Sequence, residues 1–518
     1  MHLPSTALRR LVLRAALCGA ASGAIAPAPA AAQGRYQPQG AAQRHFDDGE
    51  RLQQAGDALR EEGDQDGARA RYHEAVEAFT RAIDADPRWL DVHARLGLLY
   101  YGLEDWKAAL PLLREAHGRD RDNLDVAFWL GQHELRGGKQ AEGLRLLERV
   151  AAETDRFPEV YVVLGNHYYN QKDYRRAQPA FEHYVALRPD ATTARAKLGN
   201  TYFKLKKFAE ALAEFEAVRR TEPDNLGALV NVGNAHYQLG QFDQAVAVLE
   251  QALTRAPDRA SVLFNLAQSL FRLERYEEAV GHYRKYIERR PKSFNGRYFA
   301  GSALMELGRD DEALSALAAA HALEPKVLHP LYKMGVIHLR AKRSEKADAM
   351  LRQAAKIAPE EPWVLTALGT AARQRGQLDE AAALQRRAAD KAPEHARLHA
   401  NLAVTELAAG HLDAAGAAIE RALRSGRGDA WVTAAGASVW AAQARDHAAA
   451  GRNEAAEALL NQAFELRASP AIQADRALVR LARGDATGAR ADATAAATEA
   501  PTLAVARYAQ GRVALSEG

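Results

Sequence analysis

The stretch Leu198-Gly199-Asn200-Thr201-Tyr202 is followed by Ala211, Phe215 and Pro223, and the pattern returns 34 residues later as Val232-Gly233-Asn234, Ala245 and Pro257. Worked outward in both directions, a residue without bulk stands at Gly97, Gly131, Gly165, Gly199, Gly233, Ala267, Gly301, Gly335, Gly369 and Ala403 with no slippage. Ten consecutive hits at one step are an internal repeat, and a period of this length belongs to stacked supersecondary units. Other anchors keep step. Leucine precedes the small residue at Leu96, Leu130, Leu164, Leu198, Leu266, Leu368 and Leu402, and tyrosine follows it by three at Tyr100, Tyr168 and Tyr202. Alanine recurs from Ala109 through Ala177, Ala211 and Ala245 to Ala415, and most units close on proline, from Pro189 to Pro393.

Each anchor has a physical reason. A small residue at the Gly199 step lets the first helix of a hairpin approach the second, and the alanine at the Ala211 step is its expected partner across that contact. Proline stops the second helix because it cannot extend the hydrogen-bond ladder. One hairpin cannot bury its apolar face alone, so hairpins stack and the core runs along the array.

The pattern resembles the tetratricopeptide repeat family, whose W-x2-L-G-x2-Y, A-x3-F and terminal P positions are matched by Leu198-Gly199-Asn200-Thr201-Tyr202, Ala211 to Phe215, and Pro223. The resemblance runs from about residue 45 to 518. It implies an all-α, right-handed superhelical solenoid of about twelve helix-turn-helix repeats.

Six segments are expected: a signal peptide (1–32), a flexible leader (33–44), a divergent N-terminal repeat (45–87), ten regular units (88–429), two irregular Ala-rich repeats (430–501) and a capping helix (502–518). About five extra residues enter around Gly63 to Gly67, and the register breaks by about seven past Arg427. Arg9, Arg10 and Arg14 before the apolar Ala15 to Ala26, then Ala30-Ala31-Ala32, read as an export signal cleaved after Ala32. That reading gives an exported, periplasmic protein by the ordinary secretory route, with the twin-arginine route and full secretion as alternatives. No later stretch has the roughly 18 uninterrupted apolar residues of a spanning helix, so no integral membrane span is expected in the mature chain.

Lys and Arg number 69 against 66 Asp and Glu, a formal charge of +3 spread without large blocks, so no nucleic-acid footprint stands out among the 518 residues. The one cysteine, Cys18, lies in the export segment, which excludes a disulfide framework, a thiolate metal site and a cysteine nucleophile from the rest. No H-E-x-x-H, C-x-x-C or G-x-S-x-G occurs, and Gly137-Gly138-Lys139-Gln140 lacks the features of a phosphate loop. No enzyme activity, cofactor or metal is expected. His329 with His338, and His395 with His399, read as ordinary surface pairs, and Arg427-Gly428-Asp429 and Arg483-Gly484-Asp485 as turn chemistry.

With the small residue numbered 8 in each unit, positions 4, 7, 8 and 11 make the packing face of the first helix, and 2, 5, 9, 12 and 13 the adjacent arc. In the family that the chain resembles, this second arc lines a concave groove. Along it run a carboxamide row and an aromatic row. The candidate ligand contacts are Gln132, Asn166, Asn200, Asn234 and Gln268 at position 9, Tyr169, Phe203, Tyr237 and Phe271 at position 12, and Asn170, Lys204, Gln238 and Arg272 at position 13, with Asn231 and Asn265 at position 6. A carboxamide both donates and accepts, so such a row can bond an extended peptide backbone whatever its side chains. The competing reading is that both rows pack one repeat on the next. Val162, Ala196 and Val230 stand where a chaperone-type carboxylate clamp needs lysine, so that clamp is absent. Beyond Trp363 alanine dominates, and Trp431 and Trp440 flank the register break as core residues or a second contact site.

The expected function is a non-enzymatic scaffold of the cell envelope that binds an extended segment of a protein partner. The alternative is a glycan-binding scaffold in exopolysaccharide secretion, since aromatics beside amides also suit sugar rings.

Overall fold

A computed structural model describes residues 38 and 40–516; the expected signal peptide, most of the leader, Cys18 and the last two residues lie outside them. Among the described residues there are 27 α-helices and no strand. The chain divides into two compact units, Met1–Leu239 and Gly240–Gly518.

The first unit holds α1 (Gly40–Glu61), α2 (Gln65–Ala85), α3 (Leu90–Gly102), α4 (Trp106–Arg119), α5 (Leu124–Arg136), α6 (Gln140–Glu153), α7 (Glu159–Asn170), α8 (Tyr174–Leu187), α9 (Thr192–Lys204), α10 (Phe208–Thr221) and α11 (Leu226–Gln238). The second holds α12 (Phe242–Arg255), α13 (Ala260–Arg272), α14 (Tyr276–Arg289), α15 (Phe294–Glu306), α16 (Asp310–Leu323), α17 (His329–Arg340), α18 (Ser344–Ile357) and α19 (Pro362–Gln374). It continues through α20 (Leu378–Lys391), α21 (Ala396–Ala408), α22 (Leu412–Gly426), α23 (Ala430–Ala449), α24 (Asn453–Leu466), α25 (Pro470–Ala482), α26 (Ala486–Glu499) and α27 (Ala504–Ser516). Within each unit, odd-numbered helices are the first of a hairpin (helix A) and even-numbered ones the second (helix B), and each helix packs on its chain neighbours.

Local chemistry sets the ends. Asp105, Asn123, Asp173 and Asn225 each accept a hydrogen bond from a backbone N–H three residues on, satisfying a donor that the first helical turn leaves unpaired. The two Arg-Gly-Asp triplets work the same way: Asp429 caps α23 and Asp485 caps α26. Between helices A and B the residue at position 15 takes positive φ throughout: Glu104, Gly138, Lys172, Lys206, Gly240, Glu274, Gly308, Lys342, Gly376 and Gly410. The left-handed turn is what folds one helix back on the other.

The expected alanine lies across the small residue with its backbone, Ala313 O standing 3.3 Å from where a Cβ on Gly301 would be, but another side chain makes the closest approach. A Cβ on Gly199 would fall 2.6 Å from the ring of Phe215, and one on Gly301 would fall 2.8 Å from Leu317. The residue sixteen places on therefore covers the glycine, while Ala211 and Ala313 are fully buried beside it. The irregular segments also have simple forms. The insertion near Gly63 lengthens both helices, to 22 residues in α1 and 21 in α2. The break past Arg427 lengthens α23 to 20 residues against the 13 of α21, two further turns. Trp440 is half-buried between core clusters, whereas Trp431 is 45% exposed.

Candidate functional site

Which side of each stack is the inner one follows from contacts within the unit. In the second unit the successive A helices α15, α17, α19, α21, α23 and α25 touch in order, and α25 touches α27. Successive B helices make no comparable approach; long ion pairs span the gap instead, as from Arg284 to Glu312 at 2.7 Å and from Arg352 to Glu380 at 2.8 Å. In the first unit α3 touches α5, and on the other side Arg176 of α8 reaches Glu148 of α6. A stack that closes on one side and splays on the other is concave on the closed side, here the face of helices A.

Within the first unit the carboxamide row divides into three kinds. Gln132 is buried. Asn166 is half-buried, and its Oδ1 accepts a hydrogen bond from Lys197 Nζ of the next repeat. Burial pulls the Lys197 ammonium below the usual lysine range. Asn200 and Asn231 are half-buried, and among the described residues their side chains have no hydrogen-bond partner. Asn234 and Tyr237 are half-buried as well, while Asn170, Lys204 and Gln238 are exposed.

The aromatic row is pinned inside its own hairpins. Tyr169 meets Tyr174 edge to face at 5.3 Å, Phe203 meets Phe208 at 5.2 Å, and Tyr101 meets Trp106 at 4.5 Å. Each pair joins position 12 to the first residue of helix B across the turn. Burial pushes the Tyr169 phenol up. Tyr101 is buried, Tyr169 and Phe203 are half-buried, and each is held at one edge, an arrangement that fixes its orientation. Trp106, Tyr174 and Phe208 stand at a regular five-residue offset that signals this pairing in the sequence, and Tyr101 also meets Trp129 of the next repeat at 4.5 Å.

The second unit holds the remaining candidates. Asn265, Gln268 and Phe271 are half-buried; Phe271 meets Tyr276 at 5.3 Å, repeating the hairpin pair. Arg272 is exposed, its guanidinium 4.6 Å from the ring centre of Phe242. The candidates thus fall in both units, Gln132 to Gln238 in the first and Asn265 to Arg272 in the second. Further along α17 and α19, position 13 links repeats: Arg340 donates to the carbonyl of Met305 at 3.0 Å and Gln374 to that of Leu339 at 3.2 Å. Position 6 carries Lys333, whose Nζ lies 5.8 Å from the ring centre of Tyr298. Sequence reading missed Lys333 and Arg373 because it followed amides and aromatics rather than charge.

Among the described residues no group of three or more His, Cys, Asp or Glu could hold a metal ion, and no helix is long and apolar enough to cross a membrane.

The tetratricopeptide repeat profile matches residues 94–158 and 162–225. A second profile, the C-terminal domain of cilia and flagella-associated protein 70, matches residues 218–436. A comparison with curated proteins finds no match. Among solved structures, YrrB, a TPR protein with an unusual peptide-binding site, is 23% identical over 36% of this chain and 96% of its own, with a TM-score of 0.33. MamA is 20% identical over 33% of this chain and 94% of its own, with a TM-score of 0.31. The APC/C hetero-tetramer Cut9–Hcn1 is 15% identical over 90% of this chain and 96% of its own, with a TM-score of 0.36. Helix pairs stacked at a 34-residue period and the two profile matches together identify the chain as a tetratricopeptide-repeat protein, an all-α helical repeat solenoid of the protein-interaction class.

Proposed function

We propose that the chain is a non-enzymatic scaffold of the cell envelope, periplasmic after loss of residues 1–32, that holds an extended segment of a partner protein against its helix-A face. One observation carries the reading: Asn200 and Asn231, in adjacent repeats of the first unit, present half-buried carboxamides that have no hydrogen-bond partner among the described residues. No amide atom of either residue is buried without a partner, so both stay open to water and free for a ligand, and an extended backbone supplies a donor and an acceptor that match them. Each bond contributes only about 0.5–1.5 kcal/mol net, so a groove works by repeating them. The rings of Tyr169 and Phe203 stand ready oriented beside the amides and add apolar contact.

The test uses the chain from Gln33 onward as bait in an envelope extract, beside a variant with Asn200→Ala and Asn231→Ala, with captured protein and sugar both analysed. A protein retained by the wild type and lost by the folded variant supports the reading. Capture of polysaccharide with the same dependence replaces it by the glycan scaffold. Equal capture by both moves the contact surface away from these amides.

A further inference from the structure

The helix-B side of the second unit matches its arginines to carboxylates. Arg284 reaches Glu312 at 2.7 Å, Arg352 reaches Asp348 at 2.7 Å and Glu380 at 2.8 Å, and Arg387 reaches Glu360 at 2.6 Å. On the helix-A side Arg340, Arg397 and Arg445 are matched in the same way, to Asp310, Asp429 and Asp475, but two cations are not. Lys333 of α17 and Arg373 of α19 are half-buried, and among the described residues neither has a carboxylate within 4.0 Å. Glu306 attracts Lys333 from beyond ion-pair range, while Arg340 opposes it. The Nε of Arg373 is buried with no hydrogen-bond partner. Burial pulls both groups below their usual ranges.

A cation partly withdrawn from water without a counter-ion is unfavourable, and an anionic ligand that supplies the counter-ion offsets that cost. The surroundings indicate what kind. Tyr298 and Tyr332 are half-buried on the same arc, and Arg340, already tied to Asp310 at 3.0 Å, adds a third positive charge nearby. With Arg340 paired to Asp310, the arc over α15, α17 and α19 bears Lys333 and Arg373 with Glu306 beyond ion-pair range, in a chain whose total charge is only +3. In the first unit Lys197 repeats the motif independently: position 6, withdrawn from solvent, and held by an amide rather than a carboxylate.

We propose that the helix-A face over α17 and α19 takes an acidic extended segment of a partner protein, Lys333 and Arg373 each receiving one of its carboxylates. This rests on the reading of the helix-A face as a peptide groove and specifies its ligand. Packed helices lie about 8–10 Å apart, and an extended chain advances about 3.3 Å per residue. Lys333 and Arg373 also differ by six places along their helices, about 9 Å of rise, so carboxylates that reach both stand about four residues apart. The guanidinium of Arg373 can take its carboxylate through two parallel bonds, whereas Lys333 acts as a point charge over the Tyr298 face.

The experiment selects a randomised 12-residue peptide library on the purified protein, on a Lys333→Met/Arg373→Met variant, and on an Arg284→Met variant altered only on the opposite side. The expected result is enrichment of Asp and Glu at about four-residue spacing on the wild type and on Arg284→Met, and its loss on the double variant. A selected peptide should lose at least tenfold in affinity when its acids are changed to amides. The double variant should also show an unchanged helical signal and a melting temperature equal to or above that of the wild type, because two uncompensated charges are gone; a structural role for these residues would lower it. Peptides enriched without acidic bias, or an acidic bias that survives the double variant, overturn this inference and leave the groove reading standing. Enrichment of no peptide overturns both. Binding of soluble alginate through the same two residues, with no acidic peptide enriched, replaces the peptide by an anionic glycan.

Discussion

The ring of Phe215 occupies the space into which a side chain on Gly199 would grow, with its nearest carbon 2.6 Å from where a Cβ would stand. Phe215 is almost fully buried, so it cannot swing into solvent to make room. Gly199→Ala should therefore destabilise the protein by about 1–3 kcal/mol, the usual range for overpacking a closed core. Denaturant unfolding would read it. A Phe215→Leu change made with it should restore part of the loss, because Ala403 already stands over a residue without a ring, Ile419.

Position 15 gives the opposite sign. Lys206 at φ 62° and Glu274 at φ 59° hold the left-handed conformation that Gly240, Gly308, Gly376 and Gly410 fill without strain at the equivalent turns. For a residue with a Cβ that conformation is unfavourable by about 1–2 kcal/mol, part of which returns when glycine adds freedom to the unfolded chain. Lys206→Gly and Glu274→Gly should each stabilise by about 0.5–1 kcal/mol in the same unfolding measurement. Lys206→Ala should not stabilise.

These two positions also show how far the sequence could be read. The 34-residue ladder sufficed for the repeat, the all-α class and the hairpin, because each anchor answers a local demand: no side chain at Gly199, no donor at Pro223. The turn at position 15 was visible as glycines from Gly138 to Gly410, but Glu104, Lys172 and Lys206 interrupt that row and hide it. The partner of Gly199 was taken to be Ala211 because both are small; in three dimensions the long side chain of Phe215 fills the gap, and a one-dimensional pattern does not say which side chain reaches. The candidate site was legible as two rows of residue types. What those residues do with their polar atoms was not, since Asn166 and Asn200 look alike until Lys197 is placed against one of them.

Stability should fall on mild acidification. Burial lowers the imidazole pKa of His117, His133, His167, His282 and His338. The unfolded chain then takes up protons at the ordinary value near 6.5, above the folded values, so it binds more protons than the native state in that window. Stability is full above about pH 6.5 and is lost as the pH falls below it. Melting temperatures between pH 8 and 5.5 should decline on the acid side, and His282→Phe should flatten part of that slope. An unchanged slope in this variant would assign the decline to other groups.

Asn166 and Asn200 stand one repeat apart at the same position, and the same substitution should act on them differently. Asn166→Ala removes the acceptor that Lys197 uses on the inner face, leaving a largely withdrawn ammonium without its partner. Loss of one partner from such a bond is destabilising by about 1–3 kcal/mol. Asn200→Ala breaks no hydrogen bond within the protein and should change stability by about 0.5 kcal/mol or less. For a ligand in the groove the order reverses: Asn200→Ala and Asn231→Ala should each weaken binding by about 0.5–1.5 kcal/mol at constant stability. The two quantities are measured on the same samples, by thermal unfolding and by titration with a captured segment. A large stability loss at Asn200 would make the amide row a repeat-to-repeat packing device.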